Sequence, residues 1–387
     1  MKRWTAACVV LAIAVVVGTE AVGRQSTASL AAAIDQLVSF DFRTRVEAAR
    51  NVRRMPAAEV VPALARAARD HKDGYVRYKA LVLLAGYGDA SASATMRALL
   101  DDRNDRVRAV TYGWFEQFPD PGLAARLVAA TEHESSEFVR PALMRALAAL
   151  HREPGVRATL QPLIMRGEDY FRGAVIDALG DHRASWAVPD IIAVAKLEGP
   201  LQDDAISALG KIGDRSAIGV LAELQAAGGR EIQPAISAAT CLITRECAGH
   251  EEYLRKSLAY AAGTPEQQGF LRGAAFSLAV LASRGNTTAC EALLTVAETS
   301  ADPARETLGL AVGTMAMKNP DVLFATLQSR TGALQPALEI LRDGFDMLNE
   351  DLAEERFFVS VRKAFWAASE GSRERAVAQA LIDFLEF

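Results

Sequence analysis

The sequence predicts an all-α protein, a right-handed α-solenoid of about eleven antiparallel helix pairs. Three observations carry that expectation. An arginine recurs at Arg45, Arg77, Arg108, Arg140 and Arg172, at steps of 32, 31, 32 and 32 residues, and self-similarity at 20–50 residues is the mark of a repeat array. After each of these arginines the apolar residues follow a wide helical stripe, without strand alternation. Glycine–aspartate pairs then punctuate the pattern at Gly88-Asp89, Gly180-Asp181 and Gly213-Asp214, where glycine supplies the left-handed cap that turns the chain.

The elements follow in order. Lys2 and Arg3, the apolar run Ala6 to Gly18, and the small residues Ala21 and Gly23 read as a signal peptide over residues 1–23, cleaved before Arg24. The run is short of the roughly 20 apolar residues that span a bilayer. Regular repeats are expected over 24–229. Counting from the residue before the arginine, positions zero, four, five, seven and eight are Val76, Ala80, Leu81, Leu83 and Leu84 in one repeat. Val107, Thr111, Tyr112, Trp114 and Phe115 fill them in the next, then Val139, Leu143, Met144, Ala146 and Leu147, then Phe171, Val175, Ile176, Ala178 and Leu179. Partner helices read at Val60 to Ala68, Thr95 to Leu100, Val188 to Leu197 and Ile218 to Leu224. Leu201, Ala205, Ile206, Ala208 and Leu209 keep the register, with Gln202 in place of the arginine. Over 230–387 the repeats continue in degenerate form. Leu271-Arg272-Gly273-Ala274 restates Phe171-Arg172-Gly173-Ala174, Arg305 follows 33 residues later, and the spacing breaks around Cys241 to Gly263.

Composition agrees with thin, closely packed helices: half the residues are apolar and 7% aromatic. A net charge of −5 argues against a nucleic-acid partner, which needs a basic face. Removal of the signal leaves Cys241, Cys247 and Cys290, an odd number, so an exported chain keeps at least one free thiol or forms an intermolecular bond. Cys241 and Cys247 are a candidate disulfide if the helix carrying Cys241 ends between them, since six residues apart they would occupy different helical turns. Cys241, Cys247 and His250 also have a loose metal-ligand look, with Glu251 as the nearby fourth donor, but without CxxC or HExxH spacing no metal is assigned.

The pattern Asp70…Val76-Arg77…Ala80…Leu84…Gly88-Asp89, with Asp101…Val107-Arg108 and Pro62 in the first helix, resembles the HEAT-repeat superfamily. It is most similar to the short bacterial variant named after phycobilisome lyases, over most of residues 28–320. The resemblance implies a structural ladder between repeats, with Asp70 serving Arg77 and Asp101 serving Arg108 at a seven-residue spacing, and Arg140 and Arg172 continuing it. His133 stands where the fourth repeat's aspartate belongs. Deoxyhypusine hydroxylase, a di-iron enzyme of similar repeats, uses His-Glu pairs as ligands. Here His133-Glu134 and His250-Glu251 lie 117 residues apart, at unrelated registers between helices, and do not suit one metal.

No nucleophile elbow, Walker loop or dinucleotide fingerprint is present. The expected function is therefore that of a non-catalytic scaffold, periplasmic or secreted, monomeric and without cofactors. It would hold a protein or peptide on its concave face, with no nucleic acid and no membrane association after signal cleavage. Arg50, Arg53, Tyr78, Lys79 and Arg145 fall off the buried stripe of the arginine-bearing helices, and are the expected partner-binding residues because aromatics and arginine dominate hot spots. The alternative class is a repeat-based enzyme, lyase-like or a metal-dependent hydroxylase; it would need a cluster of titratable residues in a cleft.

Overall fold

The computed structural model describes residues 29–88 and 90–387; the expected signal peptide and Asp89 lie outside them. The described chain is all helical, with 22 α-helices and no strand, as an α-solenoid requires. It forms two compact units, one of residues up to Leu99 with Glu386 and Phe387, the other of Leu100–Leu385.

The first unit contains α1 (29–36), α2 (Phe42–Arg54), α3 (Ala57–Asp70), α4 (Gly74–Tyr87) and α5 (Ala90–Ala98). Asp41 and Asp73 cap α2 and α4 by accepting from backbone N–H groups one turn in, which satisfies donors that a helix start leaves orphaned. α3 packs on α4 and α5. The Tyr87 hydroxyl ties α4 to the Val52 carbonyl of α2 at 2.8 Å. Val76, Arg77, Tyr78 and every residue from Ala80 to Ala85 are buried on α4, which is covered on nearly all sides. Gly88 ends it in the left-handed region at φ 60°.

The second unit stacks its helices in two rows. The row bearing the repeated arginines runs α6 (Asp105–Gln117), α8 (Arg140–Ala149), α10 (Asp169–Asp181), α12 (Gln202–Ile212), α14 (Gln233–Thr244), α16 (Gln268–Ser283), α18 (Ala304–Lys318) and α20 (Gln335–Leu348), each packed on the next. Beside them lie α7 (Ala124–Ala130), α9 (Val156–Met165), α11 (Val188–Ala195), α13 (Ile218–Ala227), α15 (Ala248–Ala262), α17 (Thr287–Thr299) and α19 (Pro320–Ser329). α21 (Asp351–Ala367) and α22 (Arg373–Leu385) end the unit. Leu143, Leu147, Ile176, Leu179, Ile206 and Leu209 are fully buried, as the stripe predicts.

Two punctuation glycines behave differently from each other. Gly213 caps α12 at φ 79°. Gly180 lies inside α10, and Arg183 takes the left-handed position instead, with the Ala184 N–H closing back on the Leu179 carbonyl at 3.0 Å. What Gly180 supplies is closeness: a Cβ there would stand 2.9 Å from the Ala208 α-carbon of α12. One repeat on, a Cβ at Gly210 would stand 2.6 Å from the Ala239 α-carbon of α14. Phe118 caps α6 and is 44% exposed.

Candidate functional site

The repeated arginines do not pair as the resemblance implies. Three of the five instead share a main-chain carbonyl six residues back, in the turn that ends the preceding helix. Arg45 donates to Ser39 O at 2.7 Å, Arg77 to His71 O at 3.1 Å and Arg108 to Asp102 O at 2.8 Å. Arg172 reaches Ile164 O at 3.1 Å, and Gln202, in the same register, reaches Ala195 O at 3.0 Å. The last carbonyls of a helix lack intrahelical partners, and a guanidinium or amide brought in from the next helix satisfies them. Asp70 is exposed, and Asp101 binds Arg126 at 2.5 Å in place of Arg108. Arg108 forks onto Glu134, with Nε to Oε2 at 2.7 Å and an Nη to Oε1 at 2.8 Å. The Glu134 side chain is 4% exposed. The acceptor thus stands one residue after His133, where the family pattern places an aspartate. Arg140 stacks over Phe171 at 4.0 Å, and Arg172 binds Asp169 at 2.9 Å.

The expected partner-binding residues divide between the units. Tyr78 is buried, 6% exposed, which corrects its placement on an open face; α4 has no side wide enough to leave it out. Lys79, Arg50 and Arg53 are half-buried, with the Lys79 ammonium 5.5 Å from the Tyr78 ring centre and 5.6 Å from that of Tyr75. In the second unit Arg145 is not a free charge. Its Nε binds Glu116 at 3.3 Å, and His182 stands 3.9 Å from the other carboxylate oxygen. Burial alone would raise the Glu116 pKa, but His182, Arg145 and Arg356 more than offset it and hold the carboxyl below its ordinary value.

That group belongs to a larger set of contacts across the arginine-bearing row. Lys318, at the end of α18, binds Asp181 at 2.8 Å and Asp177 at 3.3 Å on α10, past three intervening helices of the row. The buried Lys211 of α12 joins the same two carboxylates, and Arg284, just after α16, reaches Asp181 at 3.4 Å. Arg356 of α21 donates to the Gly113 carbonyl of α6 at 2.5 Å. Charges facing one another across the row are therefore already spent on each other. No periodicity reveals the contacts of Arg284, Lys318 and Arg356, because they join residues more than 100 positions apart.

The exposed chemistry lies elsewhere, at the starts of the arginine-bearing helices. Two residues before each of three repeated arginines stands an exposed ring: Tyr75 at 40%, Phe138 at 56% and Tyr170 at 72%. The equivalent place before Arg108 holds Arg106, whose guanidinium lies 5.6 Å from the Phe138 ring centre. In the first unit Phe42, 63% exposed, has Arg45 at 5.6 Å. The residues are visible in the sequence; their register at the helix starts is the signal that would have found them.

A last feature is an open groove of about 650 Å³, lined among others by Gln225, Ser237, Cys247, His250 and Tyr253. Ser237 Oγ and His250 Nδ1 are 2.9 Å apart, but the serine is 6% exposed, which keeps its oxygen from a bulky substrate. Cys241 and Cys247 form a disulfide, since α14 ends at Thr244 and Arg245 turns the chain at φ 68°. Cys290 is a free thiol whose pKa burial pushes up to about 11. Of the two His-Glu pairs, Glu134 serves Arg108, while His250 faces Ser237 and Glu251 accepts from Asn286.

Stacked helix pairs, stapled turn to turn and lacking an open acid–base cleft among the described residues, define an all-helical repeat protein. Residues 30–114 match the family model described as HEAT repeats, and this stretch of the chain is built of them. No curated protein matches the chain. Among solved structures, the chain is similar to the complex of CpcE and CpcF of phycocyanin lyase from Nostoc sp. PCC7120, at 19% identity and a TM-score of 0.40, covering 66% of this chain and 94% of that one. A likeness at that level carries no functional argument.

Proposed function

We propose that the chain is a non-catalytic, exported HEAT-repeat scaffold that binds a protein or peptide partner. The observation that carries this reading is the set of exposed rings Phe42, Tyr75, Phe138 and Tyr170 at the starts of the arginine-bearing helices, the first three with a cation beside the ring. Exposed aromatics are costly to leave in water and are typical anchors of binding surfaces. In the second unit the partner meets the edge where α8 and α10 begin, at Phe138 and Tyr170, because Arg145 and the carboxylates of α10 are occupied within the unit. In the first unit Phe42 and Tyr75 anchor it, with Arg50, Arg53 and Lys79 as charged contacts. A concave-face reading is retained for the first unit alone.

Capture from an envelope fraction of the source organism, followed by mass spectrometry, tests the reading. The double variant Phe138→Ser with Tyr170→Ser should lose a protein that the wild type enriches, at unchanged helicity by circular dichroism. Equal enrichment by both would remove the edge as the binding surface. A mature chain beginning at Arg24, by intact-mass measurement of the exported protein, supports export; a full-length cytoplasmic chain opposes it.

A further inference from the structure

The joint between α14 and α15 holds a donor set that the scaffold reading does not use. Cys241 Sγ, Cys247 Sγ and a Glu251 carboxylate oxygen all lie within 4.8 Å of one another. Cys241 sits on the last turn of α14 and Cys247 directly precedes α15, so the short turn between them can adjust while both helices stay in place. Glu251 is one turn into α15. Its Oε1 accepts from Asn286 Nδ2, and Asn286 Oδ1 in turn caps α17 at the Ala289 N–H, 2.9 Å away. A carboxylate so held keeps its orientation whatever the cysteines do. His250 is drawn aside by Ser237 and supplies no fourth donor.

Two thiolates and a carboxylate match the preferences of a borderline-soft ion such as Zn²⁺, with the fourth tetrahedral position left to water. The outer partner that such sites use to fix a ligand is present in Asn286. An entry path is present too, since the 650 Å³ groove is lined by Cys247, Gly249 and His250 and open to solvent. In the disulfide form neither sulfur can act as a thiolate ligand, so the site is closed.

We propose that the disulfide is a redox gate on a Zn²⁺ site made by Cys241, Cys247 and Glu251. A dithiol oxidoreductase opens it: two electrons and two protons pass from the dithiol to the Cys241–Cys247 bond, yielding two thiols here and a disulfide in the donor. Zn²⁺ then binds both sulfurs and the Glu251 carboxylate, and the two thiol protons leave to solvent. Reoxidation by a disulfide of the same class of donor expels the ion.

The test uses the full mature chain, reduced by a phosphine that does not bind zinc, and titrated with Zn²⁺ against a chromophoric chelator. The reduced protein should take up about one equivalent and the oxidised protein essentially none. Co²⁺ in place of Zn²⁺ should give a thiolate charge-transfer band and the intense visible bands of a tetrahedral site. Cys241→Ser should abolish both signals, Cys290→Ala should leave both intact, and Glu251→Gln should weaken Zn²⁺ by at least about tenfold. Circular dichroism of the reduced wild type should give the helix content of the oxidised protein, which separates failure to bind from unfolding. No uptake by the folded, reduced wild type overturns the proposal. Unchanged affinity in Glu251→Gln, or loss in Cys290→Ala, overturns the ligand set.

Discussion

Arg108 shows what one recurrent residue does. It binds a turn carbonyl and a nearly buried carboxylate at once. Its removal leaves Glu134 without its counter-charge, and breaking a buried pair from one side is strongly destabilising. Arg108→Ala should therefore cost about 2–4 kcal/mol by chemical denaturation. Arg172→Ala should cost about 1 kcal/mol or less, because its Asp169 partner is half exposed and water screens it. Equal costs would show that the turn carbonyl alone matters. A second residue-scale expectation concerns Asp203. Burial pushes its pKa up to about 6, helped by Asp204 and Glu231, and one carboxylate oxygen lacks a hydrogen-bond partner. A carboxyl with a raised folded pKa binds more protons folded than unfolded between about pH 4 and 6, so stability falls as pH rises through that window. Asp203→Asn should raise the melting temperature at pH 7 and lose that advantage near pH 4. An advantage independent of pH would mean that the gain is not electrostatic.

At the scale of the element, the helices were legible and their partners less so. Asp41, Asp73 and Asn104 stand four residues before successive arginines and cap the helices those arginines belong to, a local signal that sequence carries in full. Leu84 and Leu147, assigned to the joints from periodicity, are fully buried. Truncation of either to alanine should cost about 2–5 kcal/mol. What the stripe misjudged is its own width: α4 is buried on nearly all sides, so Tyr78 is covered although it lies off the stripe. The ladder acceptors were missed because main-chain carbonyls leave no mark in a sequence, and Glu134 because it is one residue out of register. Gly210 gives the sharpest test of packing between row neighbours. Gly210→Ala should destabilise by about 1–3 kcal/mol through overpacking against Ala239. Gly219→Ala, on α13 with open space around it, should be neutral or gain up to about 1 kcal/mol. A neutral Gly210→Ala would mean that α12 and α14 can part without cost.

At the scale of the molecule, the contacts that set the second unit apart from a row of independent repeats are its long-range ion pairs. In a simple repeat array each unit touches only its neighbours, and stability is nearly a sum over nearest-neighbour joints. Lys318 departs from that rule by tying α18 to α10. Burial works against the charges on both sides. Even so, the facing cations hold Asp177 and Asp181 below the ordinary carboxylate range, and the facing anions hold Lys318 above its own. A carboxyl with a lowered folded pKa stabilises above its unfolded value near 3.8 and loses that contribution as pH falls through the folded one. The contribution should therefore be intact at neutral pH, decline only in acid, and weaken with salt as far as the pairs are exposed. Lys318→Glu places a third carboxylate against two others. We expect it to lower the melting temperature by roughly 2–6 °C at low salt, and to speed hydrogen exchange in α10 and α18 together, although 137 residues separate Lys318 from Asp181. Lys196→Glu reverses an exposed pair with Glu223 between neighbouring helices, and should change little. Exchange that rises in α18 alone would show that the repeats behave independently, and that the cross-row pairs add nothing to the cohesion of the unit.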